Sequence, residues 1–369
     1  TAVVWSPRFD HSYDGTSWNP LGLLIEEGRT NLLLQSEDQS TSWSTTDTTT
    51  TDNAGVAPDG TTTADNLIHT GTGGHHRLTR TVVADTIHTA SAYVKQGTTG
   101  SHDWVRLYLI EGDAVHGAEV YFNLVTGAKG QAQVIGSGTY TASSIEDVGS
   151  GWYRISVTGI IASGQTDASV RLANVTADGG TTSDQAASVL WWGVQLEAGA
   201  FPTSYIKTTT AAVARTADAA TMSDVSWFNA SEGTILTEGD RISGNTSYGA
   251  FFSLSDGSGT HEIYTTNVSD DGLSFIRGSG ADGNLSQNID NFVVGTIGKI
   301  AMAYAVNNGA ISVNGGAIFT DTSMGVPTGI DQANIGTRGG TITHLNGHIS
   351  RITYWPTRLS DEILQVETS

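Results

Sequence analysis

The sequence predicts an all-β protein made of two tandem antiparallel β-sandwiches, with one short helix near its C-terminal end. Glycine is abundant at 45 residues, proline is scarce at 6, and only 15% of the 369 residues are charged. The runs between glycines are rich in Thr, Ser, Val and Ile, which is typical of short strands joined by tight turns. A chain of this length is too long for one ordinary sandwich and suits two domains.

Composition excludes several kinds of chemistry. Because the chain has no cysteine, it holds no disulfide, thiolate zinc site or cysteine nucleophile. Lys and Arg number 17 against 37 Asp and Glu, a net charge of −20, so nucleic acid and anionic membranes are not expected partners. No run approaches the roughly 20 apolar residues that span a bilayer, so membrane insertion is not expected. The first residues also lack the pattern of a signal peptide.

The texture of the sequence divides the chain into four segments. Residues 1–34 are irregular and then apolar, and we interpret them as an N-terminal anchoring or docking segment. Residues 35–207 alternate in polarity and form the first predicted sandwich domain. Residues 208–224 are small and polar, without an aromatic residue, as in a linker. Residues 225–369 form the second predicted sandwich domain.

Alternation of apolar and polar residues marks the strands of both domains. The predicted strands are 88–95, 104–110, 152–160 and 189–196 in the first domain, and 234–238, 250–254, 262–266, 299–306, 310–313 and 348–355 in the second. One helix is predicted over 359–367. Ser360 is its expected N-cap, and Asp361 and Glu362 stand in the first turn, where carboxylates stabilise a helix.

Six segments of the first half, in this order, resemble fibre and spike proteins of tailed bacteriophages and gene-transfer agents. The segments are RFDH at 8–11, GLLIEEGRTNLL at 22–33, APDGTTTAD at 57–65, SAYVKQG at 91–97, GWYRISVT at 151–158 and WGVQLEAGAFPTSYI at 192–206. This resemblance covers about residues 8–216. It implies a jelly roll like that of carbohydrate-binding modules, an extracellular position on the virion surface, and sugar binding rather than catalysis.

Three segments of the second half resemble laminin G and concanavalin-A-like domains. They are SEGTIL at 231–236, AYAVNNGAISVNGG at 303–316 and LNGHISRITYWPTRLSDEILQ at 345–365. The resemblance covers about residues 225–368 and implies a second sandwich that ends in a strand and a short helix. Together the two resemblances imply host-surface polysaccharide and other virion proteins as partners.

Strand alternation assigns nine side chains of the first domain to outward faces. The alternate positions are apolar and are expected in the core, Leu190 and Trp192 among them. The outward set combines flat rings, which stack on sugars, with groups that bond hydroxyls, as in a glycan groove. The nine candidate glycan-binding residues are Tyr93, Lys95, Trp104, Arg106, Tyr108, Trp152, Arg154, Trp191 and Gln195. A second interpretation is that these aromatics cover a domain interface, a subunit contact or the N-terminal segment.

The sequence lacks the motifs of the enzyme classes that such folds host. The Glu-x-Asp-x-x-Glu pattern of concanavalin-like glycosidases is absent, and so is a Gly-x-Ser-x-Gly elbow. We therefore predict no catalytic residue, no metal ligand and no cofactor. Structural calcium is conceivable at the loops 176–184, 269–274 and 281–286. Each contains an Asp-Gly pair, however, which is also the ordinary chemistry of a hairpin turn.

The function expected from these observations is a virion surface adhesin that binds host-surface or capsular polysaccharide without cleaving it. The alternatives are a structural decoration protein that binds other virion proteins, and a polysaccharide depolymerase. The apolar runs 21–25 and 32–34 lie outside both predicted sandwiches, so they are expected to dock on their own sandwich, on the particle or on another subunit. A homotrimer would raise the avidity of weak single sites.

Overall fold

The computed structural model describes residues 7–97, 99, 103–112, 114–183, 185, 188–242, 249–268, 271–277, 285–290, 292–293, 295–339 and 343–369. The chain divides into two compact units. Residues 13–17 and 29–215 form one, here called the central unit, and residues 1–12, 18–28 and 216–369 form the other, here called the discontinuous unit.

The elements follow the chain as 29 described strands and one described helix. The first strands are β1 (Phe9–Tyr13), β2 (Trp18–Ile25), β3 (Arg29–Asn31), β4 (Ser44–Thr46), β5 (Thr48–Gly55), β6 (Ala64–His69), β7 (His75–Thr81), β8 (His88–Gln96), β9 (Trp104–Ile110), β10 (Gly117–Asn123), β11 (Ala128–Ile135), β12 (Thr139–Asp147), β13 (Tyr153–Ile160), β14 (Asp167–Val175) and β15 (Ser188–Ala198). The remaining elements are β16 (Val213–Arg215), β17 (Ala220–Met222), β18 (Glu232–Gly239), β19 (Ala250–Ser255), β20 (Glu262–Val268), β21 (Asp271–Arg277), β22 (Leu285–Asp290), β23 (Gly298–Ala305), β24 (Gly309–Val313), β25 (Phe319–Asp321), β26 (Gln332–Ile335), β27 (Thr337–Arg338), β28 (Thr343–His344), β29 (Gly347–Trp355) and α1 (Asp361–Thr368). The predicted all-β class with antiparallel sandwiches and one short helix is confirmed.

The central unit is a sandwich of two six-stranded antiparallel sheets. The β9 sheet has the order β11-β10-β9-β14-β7-β4, and the β8 sheet has the order β12-β13-β8-β15-β6-β5. Apolar side chains of both sheets meet between them because every second residue of each strand faces inward. Fully buried members of this core include Val94, Leu107, Val120, Ile155 and Leu172.

The discontinuous unit is a second sandwich. A seven-stranded sheet of order β1-β2-β29-β18-β23-β24-β25 packs on a six-stranded sheet of order β17-β26-β19-β20-β21-β22. Helix α1 covers the other face of the larger sheet, where its Leu364 is buried against Leu236 and Ala301. Its N-cap is Ser360 as predicted, although the Ser360 side chain makes no capping hydrogen bond. No helix in the described part of the chain is long and apolar enough to cross a membrane.

The apolar runs 21–25 and 32–34 contribute to the sandwiches, so the prediction that they lie outside both of them is wrong. Strand β2 pairs with β29, with Leu23 opposite Ile349, and Ile25 is buried in the core of the discontinuous unit. Leu33 is fully buried in the core of the central unit. Because these side chains are covered by the chain's own strands, they supply no reason for a trimer.

A β-bulge in β15 reverses the predicted side-chain parity. The register of β15 against β8 shifts after Trp192, where Gly193 takes a φ of 60°, a conformation that favours glycine. Trp191 therefore faces the core before the bulge, as Val194 does after it. Leu190 and Trp192, predicted in the core, pack together on the opposite face of the strand. The predicted outward position of Trp191 is wrong for this reason.

A buried histidine joins three parts of the discontinuous unit. On β29, His348 Nδ1 lies 2.7 Å from Asp240 Oδ1, and Nε2 lies 3.1 Å from Asp10 Oδ2. Burial lowers the pKa of His348, but hydrogen bonds with the two carboxylates and their charges outweigh it and raise that pKa to about 9. The imidazole is therefore protonated at neutral pH.

The discontinuous unit is expected to lose stability as the pH rises through about 9. A raised histidine pKa contributes stability that is fully present below the unfolded value of about 6.5 and is lost above the folded value. The expected loss between pH 6.5 and 9.5 is on the order of 2–3 kcal/mol. Denaturant unfolding of the wild type and of His348→Gln measures it, with His116→Gln of the central unit as the control. A wild-type stability that does not fall more than that of His348→Gln contradicts the assignment.

Candidate functional site

The nine candidate residues occur in two different sheets of the central unit and do not form one groove. Trp104, Arg106 and Tyr108 belong to the β9 sheet. The other six lie on or next to strands of the β8 sheet, and they are Tyr93, Lys95, Trp152, Arg154, Trp191 and Gln195. Since the two sheets enclose the core, their outward side chains point to opposite sides of the sandwich.

The outer face of the β8 sheet is covered by the chain's own residues 201–206. The Tyr205 ring lies 4.5 Å from the Trp192 ring and 6.4 Å from the Tyr93 ring, measured between centroids. Arg154 donates to the carbonyl of Thr203 and lies 5.4 Å from the centre of the Tyr93 ring. The aromatics here are thus covered, as the second interpretation required, but by a segment that the sequence did not point to.

Three further candidates in this sheet make hydrogen bonds to other groups of the chain. Gln195 is fully buried; its Nε2 donates to Glu197 Oε2 at 2.6 Å, and its Oε1 accepts from the Ile206 N–H at 2.7 Å. Trp152 is buried, and its Nε1 donates to the Val56 carbonyl at 3.1 Å. Lys95 Nζ donates to the Ser150 carbonyl at 2.7 Å. The predicted open groove on this face is therefore wrong.

The outward side of the β9 sheet combines aromatic rings with guanidinium groups, and we call it the arginine–aromatic face. Its position follows from alternation: Val105, Leu107 and Leu109 are in the core, so their neighbours on β9 point outward. Register places outward residues of β10, β14 and β7 beside them. The face consists of His75, Arg77, Trp104, Arg106, Tyr108, Glu119, Tyr121 and Arg171. The predicted outward positions of Trp104, Arg106 and Tyr108 agree with this arrangement.

Arg106 is the cation of this face that has both aromatic rings and a carboxylate beside it. Its Cζ lies 4.4 Å from the centre of the Tyr108 ring and 5.5 Å from that of Tyr121, distances at which cation and ring attract. Its Nη1 donates to the Tyr121 hydroxyl at 2.9 Å and lies 3.6 Å from Glu119 Oε2. Burial raises the pKa of Tyr108, so its phenol stays neutral. Arg106 and the two rings thus form a preorganised cluster in which Tyr121 is fully buried and Tyr108 and Arg106 are 9% and 8% exposed.

Arg77 and Arg171 belong to the same arginine–aromatic face and differ from Arg106 in their partners. They stand directly opposite each other on β7 and β14, and both donate to the Gly112 carbonyl, at 3.3 and 3.1 Å. Among the described residues, neither has a carboxylate within ion-pair distance. The sequence analysis missed both. Arg171 could have been found, since Val170 and Leu172 on the same strand alternate with it and are apolar.

The described acids include one group close enough to hold a single ion, formed by Asp38, Asp52 and Asp65, with candidate ligand atoms within 4.8 Å of one another. Burial raises the pKa of Asp65 to about 6. Its two oxygens accept the N–H groups of Gln39 and Asn53, which accounts for its position without an ion. This group is not in any loop predicted for calcium.

Of the three predicted calcium loops, only 176–184 has described side chains, and the acids described there do not form an ion site. In the loop 176–184, Asp178 Oδ1 accepts the Gln131 N–H at 2.8 Å, as a turn residue does, and Asp184 is outside the described residues. The loops 269–274 and 281–286 lie outside the described residues in part, and no side chain in them is described.

No protein-family model and no curated protein matches the sequence. Solved structures with a similar arrangement include the CBM40 module of the Ruminococcus gnavus IT-sialidase, at 17% identity and a TM-score of 0.34 over 38% of this chain and 84% of that one. Domains LG4-5 of the mouse laminin α1 chain match at 9% identity and a TM-score of 0.30 over 75% and 85% of the two chains. Trypanosoma rangeli sialidase matches at 11% identity and a TM-score of 0.31 over 98% of this chain and 66% of that one.

The first two of these structures are of the two kinds that the sequence resembles, a carbohydrate-binding module and laminin G domains. The identities and TM-scores describe a partial likeness of strand arrangement. The ligands of those proteins are therefore not assigned to this chain. The functional conclusion for this chain depends on the arginine–aromatic face.

Proposed function

We propose that this protein binds glycans through the arginine–aromatic face of its central unit and does not cleave them. The observation that supports this most is the combination, on one sheet, of Trp104, Tyr108 and Tyr121 with the guanidinium of Arg106. Exposed rings stack on the apolar faces of sugars, while guanidinium groups donate to hydroxyl oxygens. Tyr121 is fully buried and Tyr108 and Arg106 are 9% and 8% exposed, so they support the partly exposed Trp104, the ring that a sugar would contact. The side chains are held by one another before any ligand arrives, which lowers the entropic cost of binding.

Trp104 is the member of the face best placed to meet a ligand. It is only partly buried, at the first position of β9. Its ring lies against the backbone of Gly130, where a Cβ atom would come within 2.5 Å of it. The exposed Gln131 and half-exposed Gln133 lie on the same edge strand, β11. Trp104 would stack on a sugar ring while these amides reach its hydroxyl groups.

The biological setting that we propose is a virion surface, where the protein acts as an extracellular adhesin for host-surface or capsular polysaccharide and contacts other virion proteins. The six segments of fibre and spike type support this setting. We assign no sugar site to the discontinuous unit. Assembly as a homotrimer remains a prediction for light scattering to test.

Replacing Trp104 by alanine is expected to weaken glycan binding by about 1–3 kcal/mol, the effect of removing an aromatic hot spot, without unfolding the central unit. A glycan array followed by calorimetry on the bound polysaccharide measures this. Trp18→Ala is the matched control, because Trp18 is an exposed tryptophan of the discontinuous unit.

Three outcomes would count against the proposal. A wild-type chain that binds no saccharide would favour the structural decoration protein instead. Wild-type affinity in Trp104→Ala would move the site elsewhere. Release of new reducing ends from the bound polysaccharide would make the protein a depolymerase.

A further inference from the structure

Two buried or half-buried arginines of the central unit have no counter-ion among the described residues. Arg171 is 8% exposed, and its Nε makes no hydrogen bond. Its Nη2 and the Nη1 of Arg77 share one acceptor, the Gly112 carbonyl. In the described part of the chain no carboxylate pairs with either guanidinium. The chain carries 37 acidic residues against 17 basic ones, so a shortage of acids in the protein does not explain the gap.

The arrangement is unfavourable as it stands. Like charges directly opposite on neighbouring strands repel each other, and a buried charge costs free energy unless it is paired. One neutral carbonyl does not compensate two guanidinium groups. Burial and the charge of Arg77 lower the pKa of Arg171. Burial, together with the charges of Arg171, Arg77 and Arg106, also lowers the pKa of His75, so a positive field extends over this part of the face.

The described acids near the cluster have partners other than Arg77 and Arg171. Glu119 is engaged with Arg106 and the Tyr121 hydroxyl. Glu111 Oε1 accepts the Val115 N–H, and Asp167 Oδ2 accepts the Gly112 N–H. None of these three carboxylates lies within ion-pair distance of Arg77 or Arg171, so the described acids leave both guanidinium groups without a direct partner.

We infer that Arg171 and Arg77 bind an oxyanion substituent of the glycan, a carboxylate or a sulfate ester, so that the protein selects acidic over neutral saccharides. A guanidinium presents paired N–H donors that match the oxygens of such groups. Arg171 stands directly opposite Tyr108 on the neighbouring strand, so the charged substituent and the sugar ring that carries it would meet adjacent parts of one surface. The inference rests on the proposed glycan binding and adds the class of sugar.

The test is an array of hexuronate-containing and sulfated oligosaccharides, each printed beside its methyl-esterified or desulfated form and accompanied by neutral glycans. The wild type, Arg171→Gln and Arg171→Lys are compared. Arg80→Gln is the control, since it removes one positive charge from β7, the strand of Arg77, on the side of that strand opposite to Arg77. Thermal melts confirm that each variant is folded.

We expect the wild type to bind acidic forms at least tenfold more tightly than their neutral forms. Arg171→Gln should remove most of that difference, Arg171→Lys should keep part of it, and Arg80→Gln should keep all of it. Whether carboxylated or sulfated spots respond identifies the substituent.

The experiment separates two kinds of failure. Binding of neutral forms as tightly as acidic ones, or an equal loss on both forms in Arg171→Gln, overturns the selection of acidic sugars and leaves glycan binding in place. Binding of no saccharide at all refutes the proposed function together with the inference. If Arg171→Gln does not fold, the wild-type comparison of acidic and neutral forms still decides.

Discussion

Replacing Trp191 by alanine is expected to lower the free energy of unfolding of the central unit by about 3–5 kcal/mol, the usual cost of removing a large core side chain. Trp191 is fully buried between the two sheets and lies opposite Val94 on β8. Its removal leaves a cavity that a rigid β-sandwich closes only in part. Equilibrium unfolding in denaturant, followed by the transition of the central unit, measures the loss.

Trp104→Ala is the matched control for this experiment, since it removes the same side chain from the partly exposed start of β9. Trp104→Ala should lose affinity for glycan and little stability. Trp191→Ala should lose stability and little affinity for glycan. A Trp191→Ala chain that keeps wild-type stability and loses glycan binding would show that β15 has no bulge and that plain alternation holds.

Replacing Arg338 by methionine is expected to destabilise the discontinuous unit by about 3–5 kcal/mol, because it leaves a buried carboxylate without its partner. The Arg338 Nε donates to both oxygens of Glu262, at 2.9 and 3.0 Å, and its Cζ lies 4.7 Å from the centre of the Tyr264 ring. Glu262 is fully buried, so water cannot replace the lost donors. Denaturant unfolding at pH 7 measures the effect.

The double variant Arg338→Met with Glu262→Gln supplies the control. With neither charge left in the interior, it should recover part of the stability that Arg338→Met loses, and the difference measures the coupling of the pair. A loss below about 1 kcal/mol in Arg338→Met would mean that the pair acts as a surface salt bridge does.

Local patterns of the sequence were enough to predict most strands and the helix. Alternation placed β9 at 104–110, the bounds it has in the structure, and Asp361 and Glu362 do begin α1. Alternation gives no information on which distant segments pair with each other. The apolar residues of β2 looked unattached because their partner strand, β29, lies more than 300 residues further along the chain.

The candidate site was predicted only in part, for two physical reasons. Parity states which residues share one side of a strand, but not which strands share a sheet, so Tyr93 and Tyr108 were placed in one groove although they lie in different sheets. Parity also fails at a bulge, where one extra residue exchanges the two sides, and a single glycine, Gly193, moved Trp191 into the core.

The β3–β16 ladder has a further consequence. Arg29 stands opposite Arg215, so the two ends of the segment 29–215 leave the central unit side by side, and the flanking residues 18–28 and 216–369 belong to the discontinuous unit. A segment whose two ends are adjacent in this way can be replaced as a unit without changing where the flanking chain enters and leaves. Recombination could exchange residues 29–215 for a related sequence while β2 and β29 keep their pairing. Under the proposed function, glycan specificity would then change by substitution of a whole module, independently of the unit that carries it.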